Sequence, residues 1–198
     1  VYIGSGDVAG SVFTSNGATS LGGTGGAIFI KNSGDVTDCS FEDNFAEFGG
    51  AVATEINGNV NNCDFTANKA SVEGGALYIG SGNVKNSNFT NNKASNGDGG
   101  AVYINGNVTV INCNFTGDEA DMGSAIYYWV VGDSKYLRSI SHSTFLNNKA
   151  NMDPTTPFTF TINETNIEIA FEGNDNLLNA ILSRRNADVN ITNVTCWG

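Results

Sequence analysis

Cysteine is the strongest nucleophile in the sequence, and three of the four cysteines occupy equivalent positions. Cys39, Cys63 and Cys113 each precede a phenylalanine by two residues, and serine fills this position elsewhere. This exchange predicts a small buried side chain, because free cysteine packs as a small apolar group. No C-x-x-C pair is present, so the spacing does not indicate zinc. A disulfide between Cys39 and Cys63 is kept as an alternative that the spacing does not favour. Cys196 is a candidate for intermolecular linkage.

Carboxylates are the second candidate for chemistry, since a pair of acids can perform general acid–base catalysis. Asp38 and Asp64 fall in two outward columns of the repeat described below, where they could approach each other. No Lys or Arg lies in these columns to support such a pair, and a lone histidine, His142, does not indicate catalysis. We therefore predict solvated strand faces and no enzyme, with a polysaccharide lyase or hydrolase as a distant alternative.

Two acidic segments could offer oxygen ligands to Ca²⁺, one at residues 118–121 and one at residues 42–47. Neither has the spacing of a recognised calcium loop. We interpret both as solvated turns and predict no cofactor, with Ca²⁺ as the open alternative.

An aromatic insertion is the preferred candidate for contact with a partner. Tyr127, Tyr128 and Trp129, with Tyr136, stand in a sequence otherwise rich in Asn, Ser and Thr. Aromatic side chains suit sugar stacking and the centres of protein interfaces. Half of such a strand must nevertheless point inward as core.

Composition excludes several classes of function. The 198 residues include 9 Lys+Arg against 20 Asp+Glu, for a net charge of −11, which disfavours binding to nucleic acid or to anionic lipid. No run of apolar residues is long enough for a membrane span, and 40% hydrophobic residues indicate a folded core. The chain opens without a leader, so we expect a mature or excised piece of an exported protein.

Two motifs alternate along the chain with a period of 24–25 residues. The first is Gly-Gly-Ala followed by an aliphatic residue, at Gly25, Gly49, Gly74 and Gly99, with a weaker copy at Gly123. The second is Phe-x-x-Asn. Its phenylalanines are Phe13, Phe41, Phe65, Phe89, Phe115, Phe145 and Phe171, and its asparagines are Asn16, Asn44, Asn68, Asn92, Asn148 and Asn174, with Asp118 in place of asparagine in the Phe115 copy.

The apolar residues within each repeat alternate with period two, which predicts short strands joined by Gly and Asn turns. One such unit cannot bury its own apolar face, so stacked copies must bury it together. The sequence thus predicts an all-β fold, a right-handed single-stranded parallel β-helix of about seven to eight coils. We expect one domain over residues 1–198, with regular coils to about residue 120 and irregular longer coils over 121–198. A leucine-rich-repeat horseshoe is disfavoured because leucine is scarce.

The motif residues are predicted to shape the scaffold. Glycine pairs would supply positive φ and close backbone approach at a corner, and phenylalanines would stack along the bore. The asparagines would adopt the left-handed conformation at the opposite corner and hydrogen-bond from coil to coil. These Phe and Asn columns are therefore interpreted as structural ladders and not as a site.

The alternation of Gly-Gly-Ala with Phe-x-x-Asn resembles the repeat of chlamydial polymorphic outer-membrane proteins. It also resembles that of adhesin-like surface proteins of methanogenic archaea, as does the closing segment at residues 189–198. The resemblance implies an extracellular, cell-surface β-helix that attaches to a glycan or protein partner and has no catalytic residues. A structural alternative is a sheath or filament subunit that docks copies end to end, because residues 1–6 match residues 77–82 and begin in the middle of a coil.

Overall fold

The computed structural model describes residues 1–129 and 139–151, together with the backbone of four short strands further along the chain. All its regular elements are β-strands, and every strand pairing is parallel. Four strands make one turn, and each strand pairs with its counterparts in the turns before and after. Four sheets, A to D in chain order within a turn, therefore run along the axis of a parallel β-helix.

Sheet A follows the Gly-Gly-Ala corner, and sheet B follows the Gly-Asx-Val turn. Sheet A consists of β1 (Tyr2–Ser5), β4 (Ile28–Ser33), β8 (Val52–Thr54), β12 (Leu77–Ile79), β16 (Val102–Ile104), β20 (Ile126–Tyr128) and β25 (Ile181–Ser183). Sheet B consists of β2 (Val8–Ala9), β5 (Val36–Thr37), β9 (Val60–Asn61), β13 (Gly82–Lys85), β17 (Val108–Ile111), β21 (Ser139–Ser141), β24 (Thr161–Ile162) and β26 (Asn190–Thr192).

Sheet C carries the motif phenylalanines, and sheet D completes the turn. Sheet C consists of β3 (Val12–Thr14), β6 (Ser40–Glu42), β10 (Asp64–Thr66), β14 (Asn88–Thr90), β18 (Asn114–Thr116), β22 (Thr144–Leu146) and β27 (Thr195–Trp197). Sheet D consists of β7 (Phe45–Phe48), β11 (Lys69–Glu73), β15 (Lys93–Ala94), β19 (Glu119–Ala120) and β23 (Lys149–Ala150).

The helix has about five turns, which is fewer than the seven to eight predicted from the motif count. Sheet D accounts for the lower count: within the described residues it has five strands, so five turns have all four strands. The Phe13 copy of the motif is followed by isolated bridges, such as Gly17 to Phe45, where later turns have a fourth strand. The Phe171 copy lies outside the described residues.

The phenylalanines of sheet C pair in exact register and form the centre of the core. From Phe13 to Phe145, neighbouring rings stack with centroids 4.8–5.1 Å apart and planes within 9° of parallel. The stack follows the strand spacing of about 4.8 Å, so each ring covers the face of the next. Every ring from Phe41 to Phe145 is fully buried.

The Gly-Gly corner works as the sequence suggests. The first glycine has positive φ, which is 62° at Gly49, a conformation that side chains disfavour. The second glycine has no room for a side chain, since a Cβ on Gly50 would overlap the carbonyl oxygen of Gly75 on the next turn. The alanine after the pair is buried in each turn, as at Ala51 and Ala76.

The motif asparagines are not in the left-handed conformation, and this prediction is wrong. The residue before each asparagine adopts it instead, with φ of 52° at Asp43, 54° at Ala67 and 54° at Asn91. The preceding residue makes the turn, which leaves the asparagine free to point inward. Asn44, Asn68, Asn92 and Asn148 are accordingly buried.

Candidate functional site

The buried asparagines form a ladder in which every amide hydrogen has an acceptor. Asn68 shows the pattern: its Nδ2 donates to the Asn92 Oδ1 of the next turn at 3.1 Å and to the Phe41 carbonyl of the previous turn at 3.0 Å. Its Oδ1 accepts from the backbone N and the Nδ2 of Asn44. Asn44 and Asn92 repeat these bonds, and Asn16 joins the ladder at its exposed end. Asn174 lies outside the described residues.

Asp118 occupies an asparagine position in this ladder and is fully buried, so the prediction of a solvated turn at this residue is wrong. Its Oδ1 accepts from the backbone N and Nδ2 of Asn92 at 2.8 and 3.0 Å. Its Oδ2 has no hydrogen-bond partner among the described residues. Burial raises the pKa of the Asp118 carboxyl to about 8, against the lowering effect of the bonds from Asn92. The neutral acid is therefore the favoured form near pH 7.

The three equivalent cysteines are buried free thiols, so no disulfide joins Cys39 to Cys63. Each Sγ donates to the carbonyl two residues earlier, as from Cys63 to Asn61 at 3.3 Å. Burial is the main cause that raises the pKa to about 12 for Cys63 and to about 11 for Cys113. The thiols of Cys63 and Cys113 are therefore poor nucleophiles at neutral pH, since the thiolate is the reactive form. The side chain of Cys196 lies outside the described residues.

Asp38 and Asp64 line one surface depression of about 300 Å³ with Ser11, Ser40 and other residues of sheet C. An amide of the next turn holds each carboxylate: Asn62 Nδ2 donates to Asp38 at 2.6 Å, and Asn88 Nδ2 donates to Asp64 at 2.8 Å. Each of the two acids therefore ends a row of hydrogen-bonded side chains on the outer surface. In the part of the chain that the structure describes, no three Cys, His, Asp or Glu residues are grouped as metal ligands would be.

The predicted aromatic contact patch is not a surface patch. Tyr127 and Tyr128 lie in β20, and both side chains are fully buried, which corrects the expectation for these two residues. Tyr128 is in register with Ile104 and faces the core, whereas Tyr127 is in register with Tyr103 on the opposite face of sheet A. Trp129 is half-buried and packs against this Tyr103–Tyr127 pair. Tyr136 lies outside the described residues.

Tyr127 belongs to a column of aromatic side chains on the outer face of sheet A, which we call the outer column. It consists of Tyr2, Phe29, Tyr78, Tyr103 and Tyr127. Tyr78 stacks on Tyr103 with centroids 5.3 Å apart, and Tyr103 stacks on Tyr127 at 5.4 Å. Sequence reasoning missed this column. The signal was present, because each of its members after Tyr2 stands two residues after the alanine of Gly-Gly-Ala.

Ala53 interrupts the outer column, because it pairs with Phe29 on one side and Tyr78 on the other and carries no ring. Ala53 itself is fully buried, and near it lies a cavity of about 260 Å³, lined by Thr24, Phe29, Phe48, Glu55 and Tyr78. We call this cavity the Ala53 slot. Phe48 closes one side, meeting Tyr78 edge-on at 6.3 Å. The five lining side chains are half-buried or exposed, so the slot opens to solvent.

One charged residue lines the Ala53 slot in the described part of the chain. Glu55 is exposed, and its carboxylate has no hydrogen bond or ion pair to the described residues. Burial raises the pKa of the Tyr78 hydroxyl, and the negative charges of Glu73 and then Glu55 raise it further, while a bond from Asn105 opposes them. The slot therefore combines three aromatic rings with one carboxylate.

Comparison with known proteins identifies the repeat. Residues 62–80 and 86–105 match the model of the Chlamydia polymorphic membrane protein repeat. No curated protein and no solved structure matches the chain. Among the described residues, no helix combines the length and the hydrophobicity that crossing a membrane requires. The two matched segments span successive turns of the helix, so the chain carries repeats of the chlamydial polymorphic membrane protein type.

Proposed function

We propose that this chain is a non-enzymatic protein of the cell surface that attaches to a glycan or protein partner. The observation that carries the proposal is the Ala53 slot, an open recess on a stacked scaffold, lined by Phe29, Phe48 and Tyr78 with Thr24 and Glu55. Binding sites combine apolar and aromatic lining with a few placed polar groups, and this slot has that composition. The match to the Chlamydia polymorphic membrane protein repeat supports a location at the outer surface.

The scaffold suits this role because it holds the outer face rigidly. The phenylalanine stack and the asparagine ladder tie each turn to both neighbours. A site whose residues lie on such elements stays close to its binding geometry without the partner, which lowers the entropy cost of association.

Attachment is tested with beads that carry the folded protein. We expect these beads to be retained on a glycan array or on intact cells, and beads with heat-denatured protein to be washed off. Treating the cells with periodate or with protease separates a glycan partner from a protein partner. If beads that carry the folded protein bind none of these surfaces, the attachment role is contradicted. Turnover of an acidic polysaccharide that Asp38→Asn or Asp64→Asn abolishes would contradict the non-enzymatic assignment.

A further inference from the structure

We propose that Asp118 is a buried proton-binding site of the asparagine ladder, and that release of its proton opens the turn of the β-helix that follows it. The bound proton completes the hydrogen bonds at this position, and the free carboxylate cannot. The inference concerns the regulation of the scaffold and goes beyond the attachment function, on which it does not depend.

The pattern of the ladder places acceptors next to the Oδ2 of Asp118. Asn92 shows the regular pattern, since its Nδ2 donates to the Phe65 carbonyl of the previous turn at 3.1 Å and to the Asp118 Oδ1 of the next turn at 3.0 Å. The equivalent acceptors at position 118 are the Phe89 carbonyl and the Oδ1 of Asn148. Asp118 has an oxygen where the asparagines have this nitrogen, and that oxygen is buried without a hydrogen-bond partner among the described residues.

One proton resolves this conflict. A carboxylate has acceptors only, whereas the protonated acid carries one O–H donor. The O–H can donate to the Phe89 carbonyl or to the Asn148 Oδ1, while the Oδ1 of Asp118 keeps both bonds from Asn92. An unpaired charge in the core is costly, so the folded chain holds the proton. The pKa of the Asp118 carboxyl agrees with this geometry, since burial raises it to about 8.

The charged side chains of the neighbouring strands act on one another and not on Asp118. Lys93, Glu119 and Lys149 pair in register on sheet D. The bond from Lys93 is the main cause that lowers the pKa of Glu119, and the charge of Lys149 adds to it. None of the three contributes to the pKa of Asp118, which burial raises and the bonds from the ladder lower. Cys113, the titratable core residue of the same turn, stays a thiol because burial raises its pKa to about 11.

The ladder is weakest between Asp118 and the next turn. Toward the previous turn, Asp118 accepts two bonds from Asn92, and a negative charge strengthens such bonds. Toward the next turn, its backbone N donates to the Asn148 Oδ1 at 2.9 Å, but no side-chain bond joins these two residues. Because each turn of a solenoid contacts only its neighbours, ionisation at this connection loosens the following turn and leaves the earlier turns folded.

Amide hydrogen exchange of the full chain, followed by NMR at pH 5, 7 and 9, tests the proposal. The backbone N groups of Thr144 and Lys149 donate to carbonyls in the turn of Asp118, at 2.9 and 2.8 Å. We expect their protection factors, which are corrected for the intrinsic effect of pH on exchange, to fall by about tenfold or more from pH 5 to pH 9. The reason is that an opening that releases a proton becomes about tenfold more favourable for each pH unit between the two pKa values. The amides of Asp64 and Lys69 make the equivalent bonds three turns earlier, and their protection should change by less than about threefold.

Two variants separate the buried acid from a surface acid. Asp118→Asn keeps the acceptor for Asn92, supplies the missing donor and should abolish the pH step at Thr144 and Lys149, whereas Asp64→Asn should retain it. A carbon-13 titration of the Asp118 carboxyl in the unmodified chain should show an inflection near pH 8. Equal falls in protection at all four amides, a step that survives in Asp118→Asn, or an inflection below about pH 5 would overturn the proposal.

Discussion

Two aromatic columns run along this β-helix, one inside sheet C and one outside sheet A, and only the inner one is continuous. The inner column repeats Phe at every turn from Phe13 to Phe145, and its rings stack within 9° of parallel. The outer column mixes Phe and Tyr and breaks at Ala53. A missing ring inside would leave a cavity that costs stability, whereas outside Ala53 is tolerated and its neighbours cover it, since Ala53 is fully buried. Uniformity is therefore required of the inner column and not of the outer one.

Removing a ring from the inner column should have the largest effect. Phe65→Ala leaves a cavity between Phe41 and Phe89, and we expect the free energy of unfolding to fall by about 3–5 kcal/mol. Urea denaturation followed by circular dichroism measures it. Phe45→Ala makes the same change at a residue that is 45% exposed and should cost about 1 kcal/mol or less. Equal losses for the two variants would show that the stack is not the centre of the core.

Restoring the missing amide in the buried ladder should give the next largest effect. Asp118→Asn supplies the second donor that every other ladder position has, and we expect a gain of about 1–3 kcal/mol near pH 8. Asp64→Asn is the control, because Asp64 is exposed and already accepts a bond from Asn88. A destabilised Asp118→Asn would mean that the carboxyl makes a contact the amide cannot replace.

Asp118 should also make the free energy of unfolding depend on pH, and the direction follows from the number of protons that each state binds. The carboxyl pKa is about 8 in the folded protein and about 4 when unfolded, so the folded state binds more protons between these values. The free energy of unfolding therefore falls as pH rises from about 4 to 8, and the contribution is lost above that window. Urea midpoints at pH 5, 7 and 9 measure it. Asp118→Asn should flatten the slope, and a slope unchanged in this variant would assign it to other groups.

Placing a ring at Ala53 should destabilise the outer column. Ala53 carries no ring but is fully buried, so Ala53→Phe overpacks its surroundings, and we expect the free energy of unfolding to fall by about 1–3 kcal/mol. Urea denaturation measures it. Phe29→Leu, which keeps an apolar side chain at a half-buried position, is the control and should cost about 1 kcal/mol or less. A gain of stability in Ala53→Phe would show that the outer face has room for another ring.

The ion pair on the outside should have the smallest effect. Lys93 Nζ lies 2.9 Å from Glu119 Oε1, and both side chains are about one-third exposed. The bond from Lys93 is the main cause that lowers the pKa of Glu119. Solvent screens such pairs, so Lys93→Met should cost less than about 1 kcal/mol, and the cost should shrink further in 1 M NaCl. A loss above 2 kcal/mol would place this pair among the buried contacts.

Sequence reasoning reached the fold because the repeat constrains it many times over. Period-two alternation around Phe65 and its equivalents fixes which residues face inward, and the stacking of identical units fixes the parallel register. The conformation of Asn68 could not be predicted from the repeat, because either of two neighbouring residues can adopt the positive φ that the turn requires. The burial of Tyr127 depends on packing by Trp129 and its surroundings, and the alternation of residues within one strand does not indicate such packing.

The slot itself was beyond sequence reasoning for a different reason. Ala53 differs from its neighbours in the column because it has no aromatic ring, and an alanine after Gly-Gly-Ala-Val looks like ordinary variation in a repeat. Only the register that aligns Ala53 with Phe29 and Tyr78 shows that it belongs to the outer column, and the cavity near it is visible only in three dimensions. Glu55 gains meaning in the same way, through the rings it lies beside.

The asparagine ladder also has a mechanical consequence. Each inner amide is bonded to the turn above and to the turn below, so a turn cannot be peeled from the end without disturbing the one beneath it. The amide-to-amide hydrogen bonds all run from one turn to the next, and hydrogen bonds aligned in series polarise one another. Each turn of such a rod is held by both of its neighbours, so loosening one turn loosens the next.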